Sequence, residues 1–205
     1  MDKASESIRL IQAHQQGDPQ ALEALLARYY DRVERIVRVR MGPWLRKVES
    51  IEDLVQDTFL VAVRDFDRYE LREEAGLIQW LAKLAERRIV SAAQHHRRDK
   101  RDRRREVRAP TVAPGGGDSA ASWQLAAETT SIPEKVERNE LHATLERCLQ
   151  ELPDTEREVI LLRSYADGSW KYIAAELGLV SDEAARKLHS RARAKLASRL
   201  QARFG

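Results

Sequence analysis

Apolar residues recur at steps of three and four along most of this 205-residue chain, and no segment shows the strict alternation of a half-buried strand. Between 20 and 41, Leu22, Leu25, Leu26, Tyr29, Val33, Ile36 and Val37 share one helix face, and Gly42-Pro43 closes the run. Ser50-Ile51-Glu52-Asp53 has the form of a capping box and predicts a second helix, with Ile51, Val55, Phe59, Ala62, Val63 and Phe66 on its apolar side. A third is predicted over 77–98, carrying Ile78, Leu81, Ala85, Ile89 and Ala92. These runs predict a small helical bundle. Farther on, Leu141, Leu145, Leu149 and Leu152 mark another helix, ended by Pro153. Thr155-Glu156-Arg157-Glu158 predicts a capping box for the next, with Val159, Ile160, Leu162 and Tyr165. Ser169 then caps a short helix bearing Trp170, Ile173, Ala174 and Leu177, and Gly178 supplies the left-handed residue that ends it. Ser181 starts the last helix, with Asp182 and Glu183 in its first turn and Ala185, Leu188, Ala192 and Leu196 on its inner face. The expected fold class is all-α.

Between the two helical groups the composition changes. The stretch 108–132 is rich in Ala, Ser, Thr, Gly and Pro and holds the densest Gly and Pro cluster, 110–117. It has too little apolar surface for a core and reads as a flexible linker, with Trp123 its odd residue. The division expected is 1–105, a linker at 106–133, and 134–205. The one cysteine, Cys148, leaves no internal disulfide framework and no cysteine-based zinc site, and fits a reducing compartment. No apolar run approaches the ~20 residues of a membrane span, and no signal-peptide core follows the N-terminus. A cytoplasmic protein without a membrane span is expected.

Lys and Arg total 36 and Asp and Glu 33, so clustering of charge matters more than the net +3. The last two helices have the form of a helix-turn-helix, and no acid follows Glu183. The exposed side of the last helix would carry Arg186, Lys187, Ser190, Arg191, Arg193, Lys195 and Arg199. Such a helix fits a DNA major groove, where Arg and Lys pair with guanine and neighbouring cations hold phosphates. From Arg87 to Arg108, ten cations, among them Arg87, Arg88, Arg97 and Arg98, face three acids, which points to phosphate binding. His95-His96 are adjacent on a helix and do not share a face, so a shared metal ion is not expected. Asp53, Gln56 and Asp57 project to one side of the second helix and fit either a docking stripe for a basic partner or an ordinary wetted face. There is no glycine-rich phosphate loop, nucleophile elbow or His/carboxylate metal spacing, so neither enzyme chemistry nor a cofactor is expected.

Two sets of residues carry a family resemblance. Asp53-Leu54-Val55-Gln56-Asp57-Thr58-Phe59, then Trp80-Leu81 and Leu84-Ala85-Glu86-Arg87, resemble region 2 of the extracytoplasmic-function (ECF) sigma factors of bacterial RNA polymerase, in the sigma-70 family. Leu152-Pro153, Arg157 to Leu162, Gly168-Ser169, Ile173-Ala174, Leu177-Gly178, Arg186-Lys187-Leu188 and Arg191-Ala192-Arg193 resemble region 4. The resemblance implies a region 2 bundle and a region 4 helix-turn-helix in a factor that binds core RNA polymerase and directs it to promoter DNA. It implies polymerase contact through Asp53, Gln56 and Asp57. It places the −10 element at the loop 67–75 and the helix running to Arg98, with an unstacked base captured there. It places the −35 element at Arg186, Lys187, Ser190 and Arg191. Members are often held off DNA by an anti-sigma protein. The chain departs from the usual pattern at Leu77, Arg87 and Ser91, and its turn at 179–181 is a residue longer. The competing class is a helix-turn-helix regulator with an N-terminal dimerisation or sensing bundle. A nuclease-like RNA-binding protein would need a base or metal set that the sequence lacks.

Overall fold

The computed structural model describes residues 3–69, 74–106 and 132–204, and every regular element among them is helical. The helices are α1 (Lys3–Gln15), α2 (Pro19–Arg40), α3 (Ile51–Asp65), α4 (Glu74–Glu106), α5 (Ile132–Gln150), α6 (Asp154–Ser164), α7 (Trp170–Glu176) and α8 (Asp182–Phe204). The linker expected at 106–133, with Trp123, falls outside the described residues but for its ends, where α4 reaches Glu106 and α5 starts at Ile132.

Helix α2 is the axis of the first group. Asp18 caps it by accepting from the Gln20 amide at 2.9 Å, and Pro19 stands at its first turn, where no amide hydrogen is needed. All seven apolar residues expected on its inner face are buried. They pack against α1, α3 and α4. Ser50 caps α3, accepting from the Asp53 amide at 3.4 Å while its hydroxyl donates to Glu52 at 2.8 Å. The inner side of α3 differs from expectation: Leu54 and Thr58 are buried and Val63 is exposed. Thr58 is accommodated because its hydroxyl donates to the Leu54 carbonyl at 2.7 Å. Helix α4 extends past the expected 77–98 at both ends. Helix α1 has no counterpart in the hydrophobic pattern. It is held by buried Ile11, by the Ser7–Tyr29 hydroxyl pair at 3.1 Å and by an Arg28–Glu6 ion pair at 2.7 Å.

In the second group, Leu149, Leu152, Val159 to Leu162, Ile173, Ala185, Leu188 and Ala192 form the core. Leu141, expected inside, is exposed. The capping box at Thr155 does not form. Helix α6 starts two residues earlier, with Pro153 at the cap position, and no side chain caps it. Glu156 is instead buried against α8. Ser169 and Ser181 do cap α7 and α8, accepting from the Tyr172 and Ala184 amides at 3.2 Å each. Gly178 adopts φ +62°, the conformation for which a glycine was expected there.

The two groups touch. Arg40, only 9% exposed, donates to Glu158 and to the Ala82 carbonyl. Arg32 donates to the Tyr165 carbonyl and to Asp167, both at 2.7 Å. Gln150 reaches the Val39 carbonyl at 2.6 Å, and Lys83 pairs with Glu176.

Candidate nucleic-acid and polymerase interface

The capped start of α3 leaves Asp53 and Gln56 exposed, and the Asp57 side chain is 45% exposed. Asp57 is not alone. Arg88 of α4 donates to its carboxylate at 2.5 Å. A residue expected to face polymerase and one expected to face DNA are thus each other's partner. At the head of α3, the Glu52 carboxyl is held below its usual range by its own amide and the Ser50 hydroxyl. That anion sits where a helix N-terminus favours negative charge.

Of the other α4 cations, Arg87, Arg97 and Arg98 are exposed, and the Arg97 guanidinium lies 5.8 Å from the Trp44 ring centre. His96 pairs with Glu49 at 2.5 Å, and among the described residues no group of three His, Cys, Asp or Glu side chains could hold a metal ion. Before α4, an aromatic cluster forms. Tyr69 lies 4.9 Å from Trp80 and 5.9 Å from Phe66, and His14 meets Phe66 edge-on at 5.2 Å. Burial pushes the Tyr69 hydroxyl up to about 12, and its oxygen is buried with no hydrogen-bond partner. A cleft of about 320 Å³ opens here, lined by His14, Gln15, Phe66, Asp67 and Tyr69. Sequence reasoning placed a loop here but not this aromatic wall. The spacing of Phe66, Tyr69 and Trp80 was its visible signal, while the share of His14 depends on the unforeseen α1.

On α8, Arg186, Lys187, Ser190 and Arg191 are all exposed, yet their surroundings differ. Lys187, Arg191, Lys195, Arg199 and Arg203 follow one another at steps of four, so they line one side of the helix. Acids answer that whole line. Lys187 lies 3.7 Å from Glu183, Arg191 3.6 Å from Glu156, Lys195 2.7 Å from Glu156, and Arg199 and Arg203 pair with Glu151. Lys195 and Arg199, expected as part of an open basic face, therefore fasten α8 to α6 and to the turn at Glu151 before it. Arg186 lies off that line. Its guanidinium is 5.4 Å from the Trp170 ring centre, Arg163 lies 4.5 Å from the same ring, and His189 meets it edge-on at 5.3 Å. Glu156 was missed as a fastening acid because it stands at a middle, roleless position of the capping box read over 155–158.

Compared with known proteins, residues 4–202 match the family model described as ECF sigma factor. The chain is 24% identical over 168 residues to the RNA polymerase sigma-H factor of Pseudomonas aeruginosa, covering 81% of this chain and 79% of that protein. Its fold resembles CnrH, solved in complex with the cytosolic domain of CnrY, at TM-score 0.52 and 21% identity over 97% of each chain. It also resembles the sigma factor RpoE of Bartonella quintana, solved with the anti-sigma factor NepR, at TM-score 0.50 and 20% identity over 87% of this chain and 94% of that one. Every regular element among the described residues is helical, and the last two form a helix-turn-helix with a basic last helix, an arrangement used by DNA-binding proteins. This chain belongs to the ECF sigma factor family, whose members are non-catalytic transcription initiation factors. It serves RNA polymerase in promoter-directed initiation. No helix among the described residues is long and apolar enough to cross a membrane.

Proposed function

We propose that residues 1–105 dock on core polymerase and hold the −10 element, that 134–205 reads the −35 element, and that 106–133 tethers the two. Docking runs through Asp53, Gln56 and Asp57, whose placement on an exposed face of α3 suits a basic partner surface. The cleft lined by His14, Gln15, Asp67 and Tyr69, floored by buried Phe66, takes the unpaired base, and Arg87, Arg88, Arg97 and Arg98 hold the phosphates beyond it. On α8, Arg186, Lys187, Ser190 and Arg191 are the exposed residues that meet the groove, Lys187 and Arg191 each leaving a nearby acid, Glu183 or Glu156, to do so. The observation that carries this assignment is the exposed set on α8 behind a turn whose caps and positive-φ glycine are in place.

The chain does no chemistry of its own and works in the cytoplasm. Two promoter elements two duplex turns apart lie about 70 Å from each other, so the contacts between the two helical groups part when both elements are held. CnrH and the Bartonella factor were solved with protein partners, and an anti-sigma protein that covers the same faces is the partner we propose for the resting state.

Run-off transcription with purified core polymerase tests the whole assignment. Promoter-specific product is expected only when the chain is added. Replacing Asp57 with Arg is expected to abolish product and core binding without loss of helicity. Unchanged core binding by that variant would remove the docking assignment.

A further inference from the structure

The Asp57–Arg88 pair joins the face proposed to meet polymerase with the helix proposed to meet DNA. It spans α3 and α4 at 2.5 Å, and both side chains keep contact with water, at 45% and 37% exposed. An ion pair this wet is held weakly and is easily exchanged. Arg88 is also incompletely satisfied where it stands, because its Nε–H is buried with no acceptor. The root of its guanidinium is buried while an outer nitrogen makes the bond to Asp57, and the outer nitrogens are the part free to change partner. Beside it, Asp53 is exposed and has no cation within ion-pair range among the described residues. At rest, then, the acidic stripe shows one open carboxylate and one that the chain has quenched itself.

We propose that this pair is exchanged on assembly. A cationic group of core polymerase takes the Asp57 carboxylate, and Arg88 is released to a phosphate of the DNA strand lying along α4. The inference rests on the docking assignment above and adds to it a coupling between the two sites. Before docking, Arg88 lowers the negative charge that polymerase meets, and Asp57 lowers the positive charge that DNA meets. Each partner therefore removes the other's competitor. Because such coupling is reciprocal, DNA on Arg88 raises the affinity for polymerase by the factor by which polymerase raises the affinity for DNA.

The test uses the full chain and two titrations. One measures affinity for core polymerase. The other measures affinity for a fluorescein-labelled, mixed-sequence single-stranded oligonucleotide, without polymerase, across a range of salt. Arg88→Gln is expected to bind core about two- to fivefold more tightly than the parent chain, the scale of an exposed ion pair, and to bind the oligonucleotide less well. Asp57→Asn is expected to do the reverse. It loses core affinity and gains about two- to fivefold for the oligonucleotide, with a salt slope steeper by about 0.7. In the double variant the oligonucleotide gain disappears, and Arg88→Lys, which keeps the charge, stays near the parent chain. A merely structural role for the pair would weaken both affinities in both variants and would overturn the proposal. So would an Arg88→Gln chain that binds core no better than the parent while Asp57→Asn still loses core, a result that leaves docking intact. Unchanged core binding by Asp57→Asn would instead remove the docking assignment, and the exchange with it.

Discussion

The two basic helices differ in where the acids that answer them come from. Helix α8 is answered from within its own half: Glu183, Glu156 and Glu151 take the cations on one side and leave Arg186, stacked on Trp170, to the other. Helix α4 is answered partly from its own half and partly from the other. Arg88 meets Asp57 of α3, His96 meets Glu49, and Lys83 reaches across to Glu176 in the second group. The cations of α8 are therefore met within the second half alone, whereas those of α4 are met by Asp57 and Glu49 of the first half and, through Lys83, by Glu176 of the second. Counting cations along the chain cannot tell these cases apart, since what matters is whether a carboxylate is geometrically in reach.

The sharpest break of this contrast is at the contact between the halves. Glu158→Ala leaves the nearly buried Arg40 guanidinium with only the Ala82 carbonyl and a distant Glu86. Removing one partner of a fully buried pair costs about 3–5 kcal/mol, and because Glu158 is itself partly wet the expected loss is nearer ~2 kcal/mol. Small-angle scattering should show a larger radius of gyration with helicity retained. An unchanged radius would mean that apolar contacts hold the halves together. The surroundings of α4 should change on this opening and those of α8 should not.

A change of intermediate size tests α8 alone. Glu156→Ala frees Arg191 and Lys195 and is expected to cost about 1 kcal/mol of stability in the second half. It should tighten binding to any duplex, with a salt slope steeper by about 1–2. A gain confined to one sequence would instead make Arg191 a reader of bases. Arg186→Ala should behave differently and lose about 1–3 kcal/mol on the preferred −35 sequence only.

Much of this arrangement was legible because it obeys local rules. The inner face of α2, the caps at Ser50, Ser169 and Ser181, and the glycine at 178 each follow from a few neighbouring residues. What the sequence hid is tertiary in origin. Helix α1 shows little apolar pattern because a serine hydroxyl and an ion pair do part of its docking. Glu156 is only a filler position of the capping box read at 155–158, but a basic helix 39 residues later claims its carboxylate. Asp57 and Arg88 were both singled out, yet 31 residues of separation gave no sign that they meet.

The smallest expected effect concerns the rigidity of the α8 side. His189 wedges against Trp170, and its imidazole is held below the usual range, first by burial and then by Arg193 and Arg163. Its Nε2 is buried without a hydrogen-bond partner. Because the folded value lies below the unfolded one of 6.5, both states are neutral above that pH and the histidine then contributes no pH dependence. As the pH falls through 6.5 the unfolded chain takes up the proton first, so the second half loses stability until the folded histidine also protonates. Thermal melts in this window should show a falling midpoint for the parent chain and a flat one for His189→Gln. An equal slope in both would assign the pH response to other groups and leave the Trp170 cluster indifferent to protons.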